Sequence, residues 1–383
     1  MRTWLLLCLC TLLAACAGPR ELIQPPERLF DDSLFAAPSE RVGADDLFAL
    51  SDAMRRYLQH PQIEAQLRKK GPQRGLLEAL YTTGELKLDY DARTTRHAAQ
   101  AFDERAGNCL SLVVMTAAFA KELGLAVRYQ SAYLEETLSR SGDLVLRSGH
   151  VNVTLDRRFS HPRLPSQDAM TVDFLPPAEI RGLRTREITE ETVVAMFMNN
   201  RAVEALVDRR PDDAYAWSRE AVRQDPLFLG GLNTLGVVYL RRGALPQATA
   251  VFDHVLQRDA DNVTALANLA TAYARQGRIE ESMQTRRRLA RLEPEPPLHF
   301  FNLGLAAMKK QDFGKAREMF SREIARSDDS PESHYWLGLA HYQLGNVEQA
   351  RKHMARALEA STSRGDRDLY SAKLDWIQAR SSR

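Results

Sequence analysis

The second half of the chain repeats itself every 34 residues, and this period constrains the fold more than any other feature. Small residues recur in two series, which comprise Ala202, Gly236, Ala270, Gly304 and Gly338, and then Ala214, Ala248, Ser282, Ala316 and Ala350. Large residues follow at fixed offsets, as Tyr239 and Tyr273 do after the first series and Phe252 and Phe320 after the second. Such a period predicts stacked helical hairpins, in which small residues let two helices approach and large residues fill the gap.

The pattern resembles the tetratricopeptide repeat, whose small, aromatic and proline positions have these offsets. Ser218 and Arg286 stand where an aromatic residue is usual, and Ala260 where proline is usual, but the spacing does not drift. We predict an all-α solenoid over 195–380, with about five repeats over 195–361 and a capping helix near 366–380. The resemblance implies a groove that holds a peptide segment or helix of a protein partner.

The chain begins with a segment typical of a secretory signal. Arg2 precedes an apolar run, Trp4 to Leu13, which is too short to span a bilayer. The residues Leu13-Ala14-Ala15-Cys16 resemble a bacterial lipobox, which implies cleavage before Cys16 and attachment of lipid to its sulfur. We therefore expect a lipoprotein signal peptide over 1–15 and a Pro-rich tether over 16–42.

The residue after Cys16 is Ala17 rather than Asp. By resemblance to proteobacterial sorting rules, this favours the outer membrane of a bacterial envelope, with the protein facing the periplasm. Because we find no second apolar stretch of membrane length, the lipid is the only membrane anchor that we expect. The charge is nearly balanced, with 52 basic and 50 acidic residues, and the absence of a basic block argues against nucleic acid as a partner.

One thiol is left over in the predicted mature chain. Of the four cysteines, Cys8 and Cys10 lie in the predicted signal and Cys16 carries the lipid, so Cys109 remains. In an oxidising compartment a single thiol is either buried and inert or kept for its reactivity. It follows Gly107-Asn108 at the predicted start of a long apolar helix that ends near Gly124.

Strand-like segments follow this helix. Residues 151–155 alternate between apolar and polar side chains, as do residues 170–174, which indicates half-buried strands. A helix followed by several strands, which we expect to be antiparallel, predicts an α+β domain. We place this domain over 43–185, with its core over 90–180.

The segments GNCLSLVVMTAAFAKELGLAVRY, GHVNVTL and TVDFLPP resemble the transglutaminase-like superfamily of papain-like folds. The resemblance implies that Cys109 is the nucleophile, that His150 is the general base and then the acid, and that Asp173 orients the histidine. Many members have an aromatic residue just after the histidine, whereas this chain has Val151-Asn152, so the resemblance implies no substrate preference.

Other polar residues surround this predicted triad. His161 is the rival for the third position, because a Cys-His-His order would resemble papain-like peptidoglycan hydrolases. Asn152 shares a strand face with His150 and is either a polar neighbour or a solvated residue. Asp156 and Asp168 are predicted to face solvent. We expect neither cofactor nor metal, because no Gly-rich phosphate loop and no clustered Cys/His set is found.

Together these features predict a membrane-anchored periplasmic thiol enzyme with a repeat arm that docks a protein partner. Its reaction would be acyl transfer at an amide bond of a peptide or protein substrate. Resolution of the thioester by water makes a peptidase or amidase, which the resemblance favours, and resolution by an amine makes a cross-linking enzyme. The alternative is a non-catalytic envelope scaffold that uses the repeats and a degenerate papain-like domain for protein binding.

Overall fold

The computed structural model describes residues 26–81, 88–91, 94–141, 144–157, 168–174, 184–296, 298–326, 330–361 and 364–381. Within β-strand segments between 132 and 150, the description covers the backbone only. The predicted signal peptide, the predicted lipidation residue Cys16 and the rival residue His161 lie outside the described residues.

The sheet domain, which comprises the described residues from 41 to 188, combines helices with a small sheet. Its helices are α1 (Asp52–Leu58), α2 (Pro61–Lys70), α3 (Pro72–Tyr81), α4 (Ala98–Glu104) and α5 (Cys109–Glu122). A parallel pair is formed by β1 (Asp89–Tyr90) and β2 (Ala106–Gly107). An antiparallel sheet of order β5-β4-β3-β6 is formed by β3 (Ala126–Ser141), β4 (Leu144–Asp156), β5 (Met170–Val172) and β6 (Arg184–Ile188). This is a small α+β arrangement, and its assignment to the papain-like folds stays a prediction.

Helix α5 is the centre of this domain, and its ends lie where the sequence predicts them. It begins at Cys109 and is buried along its length from Cys109 to Ala120. After its last turn, Gly124 has a φ of +71°. The Leu125 N–H donates to the Ala120 carbonyl and the Gly124 N–H to the Lys121 carbonyl, which is the hydrogen-bond pattern of a Schellman motif. The apolar face of β4 packs against this helix through Val151, Val153 and Leu155, all fully buried.

The C-terminal half is an all-α array, as predicted. It comprises α6 (Glu190–Val207), α7 (Pro211–Gln224), α8 (Leu229–Arg242), α9 (Leu245–Arg258), α10 (Val263–Arg275), α11 (Ile279–Leu292), α12 (His299–Lys309), α13 (Phe313–Arg326), α14 (Pro331–Gln343), α15 (Val347–Ala360) and α16 (Arg364–Ser381). The first ten helices form five hairpins, and α16 packs on α15 as the cap. The rings of Phe252 and Phe320 cover Gly236 and Gly304, so the small and large series pack as the period predicts.

The array is interrupted between its third and fourth hairpins. Helices α11 and α12 scarcely touch among the described residues, whereas the other neighbouring hairpins pack closely. Ser282 is the only buried residue in the description of α11, and Met283 beside it is 44% exposed. Arg286, which stands where Phe252 and Phe320 stand in the second and fourth hairpins, is exposed. Because a charged side chain cannot fill the apolar gap, the third hairpin lacks the aromatic residue that would support its stacking.

The first hairpin and the sheet domain share one hydrophobic core. Phe197 of α6 and Trp217 of α7 belong to the same cluster of buried residues as Leu110 of α5 and Val151 of β4. Hydrogen bonds cross the same boundary, since the Thr95 N–H donates to Glu204 Oε1 at 2.7 Å and Tyr129 Oη to Glu190 Oε2 at 2.9 Å. The two parts are therefore continuous in packing as well as in sequence.

Residues 26–40, which the sequence predicts to be part of a tether, lie against the array instead. They form two short 3₁₀ turns, Glu27–Leu29 and Asp32–Leu34. In the part of the chain that the structure describes, no helix has both the length and the apolar character needed to cross a membrane.

Candidate functional site

Cys109 is the first residue of α5, and its position is set by the residue before it. The Asn108 side chain caps the helix, because its Oδ1 accepts from the Ser111 N–H at 2.9 Å. The Asn108 Nδ2 donates to Thr95 Oγ1 at 2.8 Å, which fixes the cap to the preceding loop. Free amides at a helix start favour negative charge, and Cys109 lies beside them at 9% exposure.

The chain approaches the first turn of α5 so closely at residue 107 that only glycine fits there. A β-carbon at residue 107 would lie 2.7 Å from Cβ of Ser111, so any larger residue would displace the first turn of α5. The Ser111 hydroxyl also accepts from the Arg96 N–H at 2.8 Å, which brings the 94–97 segment against the helix start. The surroundings of Cys109 are thus built from two chain segments and held by hydrogen bonds to side chains.

His150 lies in β4, where its backbone pairs with Ala132 of β3. Its side chain lies outside the described residues. Val151, the next residue, is fully buried against α5, and Asn152 is 4% exposed on the other face of the strand. The structure therefore places the backbone of the predicted base on a strand that packs directly on the Cys109 helix.

Asp173 follows the last residue of β5 and meets Asn152. The register pairs Val153 with Val172, which sets Asn152 and Asp173 side by side, and Asn152 Nδ2 donates to Asp173 Oδ2 at 3.3 Å. Because Asn152 is buried and bonded to Asp173, the prediction of a solvated residue at this position is wrong. The structure thus places the backbone of His150 on β4 and Asp173 directly after the adjacent strand β5.

An open cleft of about 470 Å³ lies beside Asp173, and no pattern in the sequence predicts it. Its apolar lining comes from Leu77 and Tyr81 of α3 and from Met170, Val172 and Phe174 around β5. Arg74 and Glu78 add charge to the lining, and hydrogen bonds, first from Lys70 and then from Arg74, lower the pKa of Glu78. The spacing of the α3 residues is helical and could have indicated a common face, but nothing in it indicates that β5 lies opposite.

The prediction that Asp156 faces solvent is wrong. Its side chain is fully buried, and it accepts from Arg128 Nη2 at 2.7 Å and from the Arg157 N–H at 2.8 Å. A buried carboxylate needs such partners. Arg128 of β3 pairs with Thr154 of β4 and so lies close enough to Asp156 to supply one. Asp168 is exposed, as predicted, and pairs with Arg157. Among the residues that the structure describes, no group of three or more His, Cys, Asp or Glu side chains is arranged to hold a metal ion.

Comparison with known families identifies the repeats. Two tetratricopeptide repeat models match residues 239–299 and 301–364. Protein CTR9 homolog of Arabidopsis thaliana is 31% identical over 126 residues, which are 33% of this chain and 12% of that protein. Tetratricopeptide repeat protein 8 of Caenorhabditis elegans is 27% identical over 105 residues, 27% of this chain and 20% of that protein. The chain thus spans only a small part of the length of these relatives.

Solved repeat proteins are also similar to the array. TTC0263, a repeat protein of Thermus thermophilus, is 19% identical with a TM-score of 0.31 and covers 47% of this chain and 98% of its own. MamA is 20% identical with a TM-score of 0.25 and covers 42% of this chain and 93% of its own. From the family models, the C-terminal half of the chain contains tetratricopeptide repeats, and such repeats bind protein partners.

Proposed function

We propose that the protein is an adaptor, in which the repeat array binds a protein partner and holds it at a fixed position relative to the sheet domain. The observation that carries this proposal is the core shared by α5, β4 and the first hairpin. Domains joined only by a flexible linker move independently, whereas a common apolar core resists such motion. A partner bound to the array would therefore be held in register with the sheet domain. We further propose that Cys16 carries a lipid that anchors this adaptor to the outer membrane, facing the periplasm.

Site-specific photo-cross-linking in cells tests the adaptor. A photoreactive amino acid is placed at Met283 or Leu303, both 44% exposed on the array, and at Glu122, an exposed control position on the sheet domain. We expect one defined protein adduct from the array positions and none from the control, unchanged when Cys109 is replaced by Ser. Absence of an adduct from the array, or an adduct that requires Cys109, would contradict the proposal that the protein is an adaptor.

A second candidate function is thiol-dependent acyl transfer, which the position of Cys109 and the contact between Asn152 and Asp173 favour. In this reaction, the Cys109 thiolate would form a bond to an amide carbonyl carbon, and amides at the start of α5 would stabilise the oxyanion. The carbon–nitrogen bond would then break as His150 gives its proton to the leaving amine. Water or an amine would release the acyl group from the resulting thioester and restore the thiol.

Alkylation of Cys109 by iodoacetamide separates this candidate from a structural cysteine. At neutral pH we expect His150→Ala to slow alkylation about tenfold and Asp173→Ala to slow it less, because His150 would accept the thiol proton and Asp173 would act only by orienting His150. His60→Ala, at an exposed histidine of the sheet domain, is the matched control and should leave the rate unchanged. Slow alkylation with one rate in all four proteins would mean a buried, inert thiol and would remove the enzyme from consideration.

A further inference from the structure

The strap, which comprises residues 26–40, crosses the first two hairpins of the array. It contacts α7 and α9, the second helices of these hairpins, and the end of α8. Its sequence, PERLFDDSLFAAPSE, alternates acidic residues with leucine and phenylalanine. Only Leu29 is buried among its described residues, and the side chains of Glu27 and Asp32 are 61% and 63% exposed. The strap therefore lies on the array rather than within it.

Side chains of the array hydrogen-bond to the backbone of the strap at and between its two 3₁₀ turns. Tyr239 Oη donates to the Leu29 carbonyl at 2.9 Å and accepts from the Asp31 N–H at 2.8 Å. Tyr215 Oη accepts from the same N–H at 3.0 Å. Arg242 Nε donates to the Leu34 carbonyl at 3.0 Å. Main-chain hydrogen bonds of this kind give affinity that does not depend on the side chains of the bound segment.

Side chains of the strap supply the specificity. The Phe35 ring stacks on Tyr215 with centroids 4.0 Å apart and planes only 2° from parallel. Leu29, at 7% exposure, joins the core cluster that includes Val222 and Leu232. These two anchors lie on either side of the backbone contacts, so apolar pockets and main-chain bonds alternate along the segment.

Charge complements this arrangement. Asp32 Oδ1 accepts from Tyr215 Oη at 2.6 Å and from Arg219 Nη1 at 2.8 Å. These hydrogen bonds lower the pKa of Asp32, the tyrosine contributing most. Glu27 pairs with Arg223 at 3.0 Å. The surface of α7 is therefore basic where the strap is acidic.

The end of the strap is fixed at the turn of the first hairpin. Ser39 donates to Asp213 through its N–H at 2.6 Å and its hydroxyl at 2.7 Å. Glu40 accepts from Trp217 Nε1 at 2.9 Å and pairs with Arg201 at 3.1 Å. Beyond this point, the chain enters the sheet domain.

We infer that the surface formed by α7, α9 and the end of α8 is a peptide-binding site, which the chain fills with its own strap. A free peptide of the same acidic, leucine and phenylalanine pattern binds there only when the strap is displaced. Since a tethered ligand has an effective concentration on the order of millimolar, the strap keeps the site occupied against weak competitors.

The test uses the full chain and a fluorescent peptide of residues 26–40. In one variant, Asp32→Ala and Phe35→Ala together weaken the strap without altering the array. We expect this variant to bind the peptide at least tenfold more tightly than the wild type, whose site is occupied. Adding Arg219→Ala should remove most of the gain, whereas the exposed control Arg287→Ala should not. Failure of the strap variant to bind, with a native circular dichroism spectrum, would overturn the inference.

A measurement on the wild-type chain covers the case in which the strap variant does not fold. Hydrogen exchange of the backbone amides of residues 27–40 is followed with and without excess unlabelled peptide. A strap that exchanges with free peptide should lose protection several-fold when peptide is added, and a scrambled peptide should have no effect. Unchanged protection at saturating peptide would mean that the strap is a permanent part of the fold and would refute the site.

Discussion

Gly236 lies directly beneath the ring of Phe252, so that a β-carbon at residue 236 would be 2.4 Å from Cε1 of the ring. Two repeats further along, Gly304 and Phe320 have the same relation, with a distance of 2.5 Å. In both hairpins the glycine is on the first helix and the phenylalanine on the second. The close approach of the two helices thus depends on a missing side chain on one and a large ring on the other.

Replacement of Gly236 by Ala should therefore destabilise the array, although alanine favours helix. Overpacking of a filled core costs about 1–3 kcal/mol, and we expect a loss of this size in the free energy of unfolding measured with urea. Phe252→Leu combined with Gly236→Ala should recover part of the loss, because the leucine leaves room for the methyl group. Fully additive effects of the two changes would contradict the contact.

The same residues show what the sequence could predict. The small and large series recur with one period, and hairpin packing depends on contacts between neighbours in the chain, so a local pattern is enough to predict it. The end of α5 at Gly124 could likewise be predicted from nearby residues alone. Cys109 at its start could also be predicted, because Asn108 is a preferred cap.

Contacts between distant segments could not be predicted in this way. Residues 26–40 contain prolines and charges typical of a tether, and nothing local indicates that Asp31 meets Tyr239. Asp156 occupies a polar position in the alternating pattern of β4, which predicts exposure to solvent. Its burial depends on Arg128 of the adjacent strand. The only local indication of the break after α11 is Arg286, which stands at an aromatic position. The repeat spacing continues unchanged through the break and therefore does not indicate it.

Asn108→Ala should destabilise the sheet domain through the start of α5. Loss of an N-cap costs about 1 kcal/mol, and the lost hydrogen bond to Thr95 adds to it, so we expect about 1–2 kcal/mol by thermal unfolding. Asn108→Asp is the matched control, because it keeps the acceptor for Ser111 and loses the donor to Thr95, and its negative charge is favoured at the N-terminus of α5. The prediction is wrong if the aspartate variant is as unstable as the alanine variant.

Stability of the last hairpin should fall as the pH falls through the range of histidine. Burial, followed by the nearby rings of His334 and His341, lowers the pKa of His353 to about 4 from its usual 6.5. The folded state therefore binds a proton less readily than the unfolded state. The stability contributed by neutral His353 is complete above about pH 6.5 and is lost between about pH 6.5 and 4.

Thermal unfolding at several pH values checks this expectation. Because carboxylates also titrate near pH 4, the wild type is compared with His353→Gln at each pH. The difference between their melting temperatures should shrink or reverse as the pH falls from about 7 to about 4.5. A constant difference over this range would show that His353 does not contribute to the pH dependence.

The core shared by the sheet domain and the first hairpin is what makes the protein an adaptor, and hydrogen exchange tests directly whether the two parts are coupled through it. Phe197, 6% exposed in that core, is replaced by Ala, and exchange is followed in α5 and α6. We predict that both helices lose protection together, by about 3 kcal/mol of opening free energy, because Phe→Ala leaves a cavity between them. Met354→Ala in the last hairpin is the control and should leave α5 unchanged. Loss of protection in α6 with none in α5 would show two independent units and would contradict the adaptor.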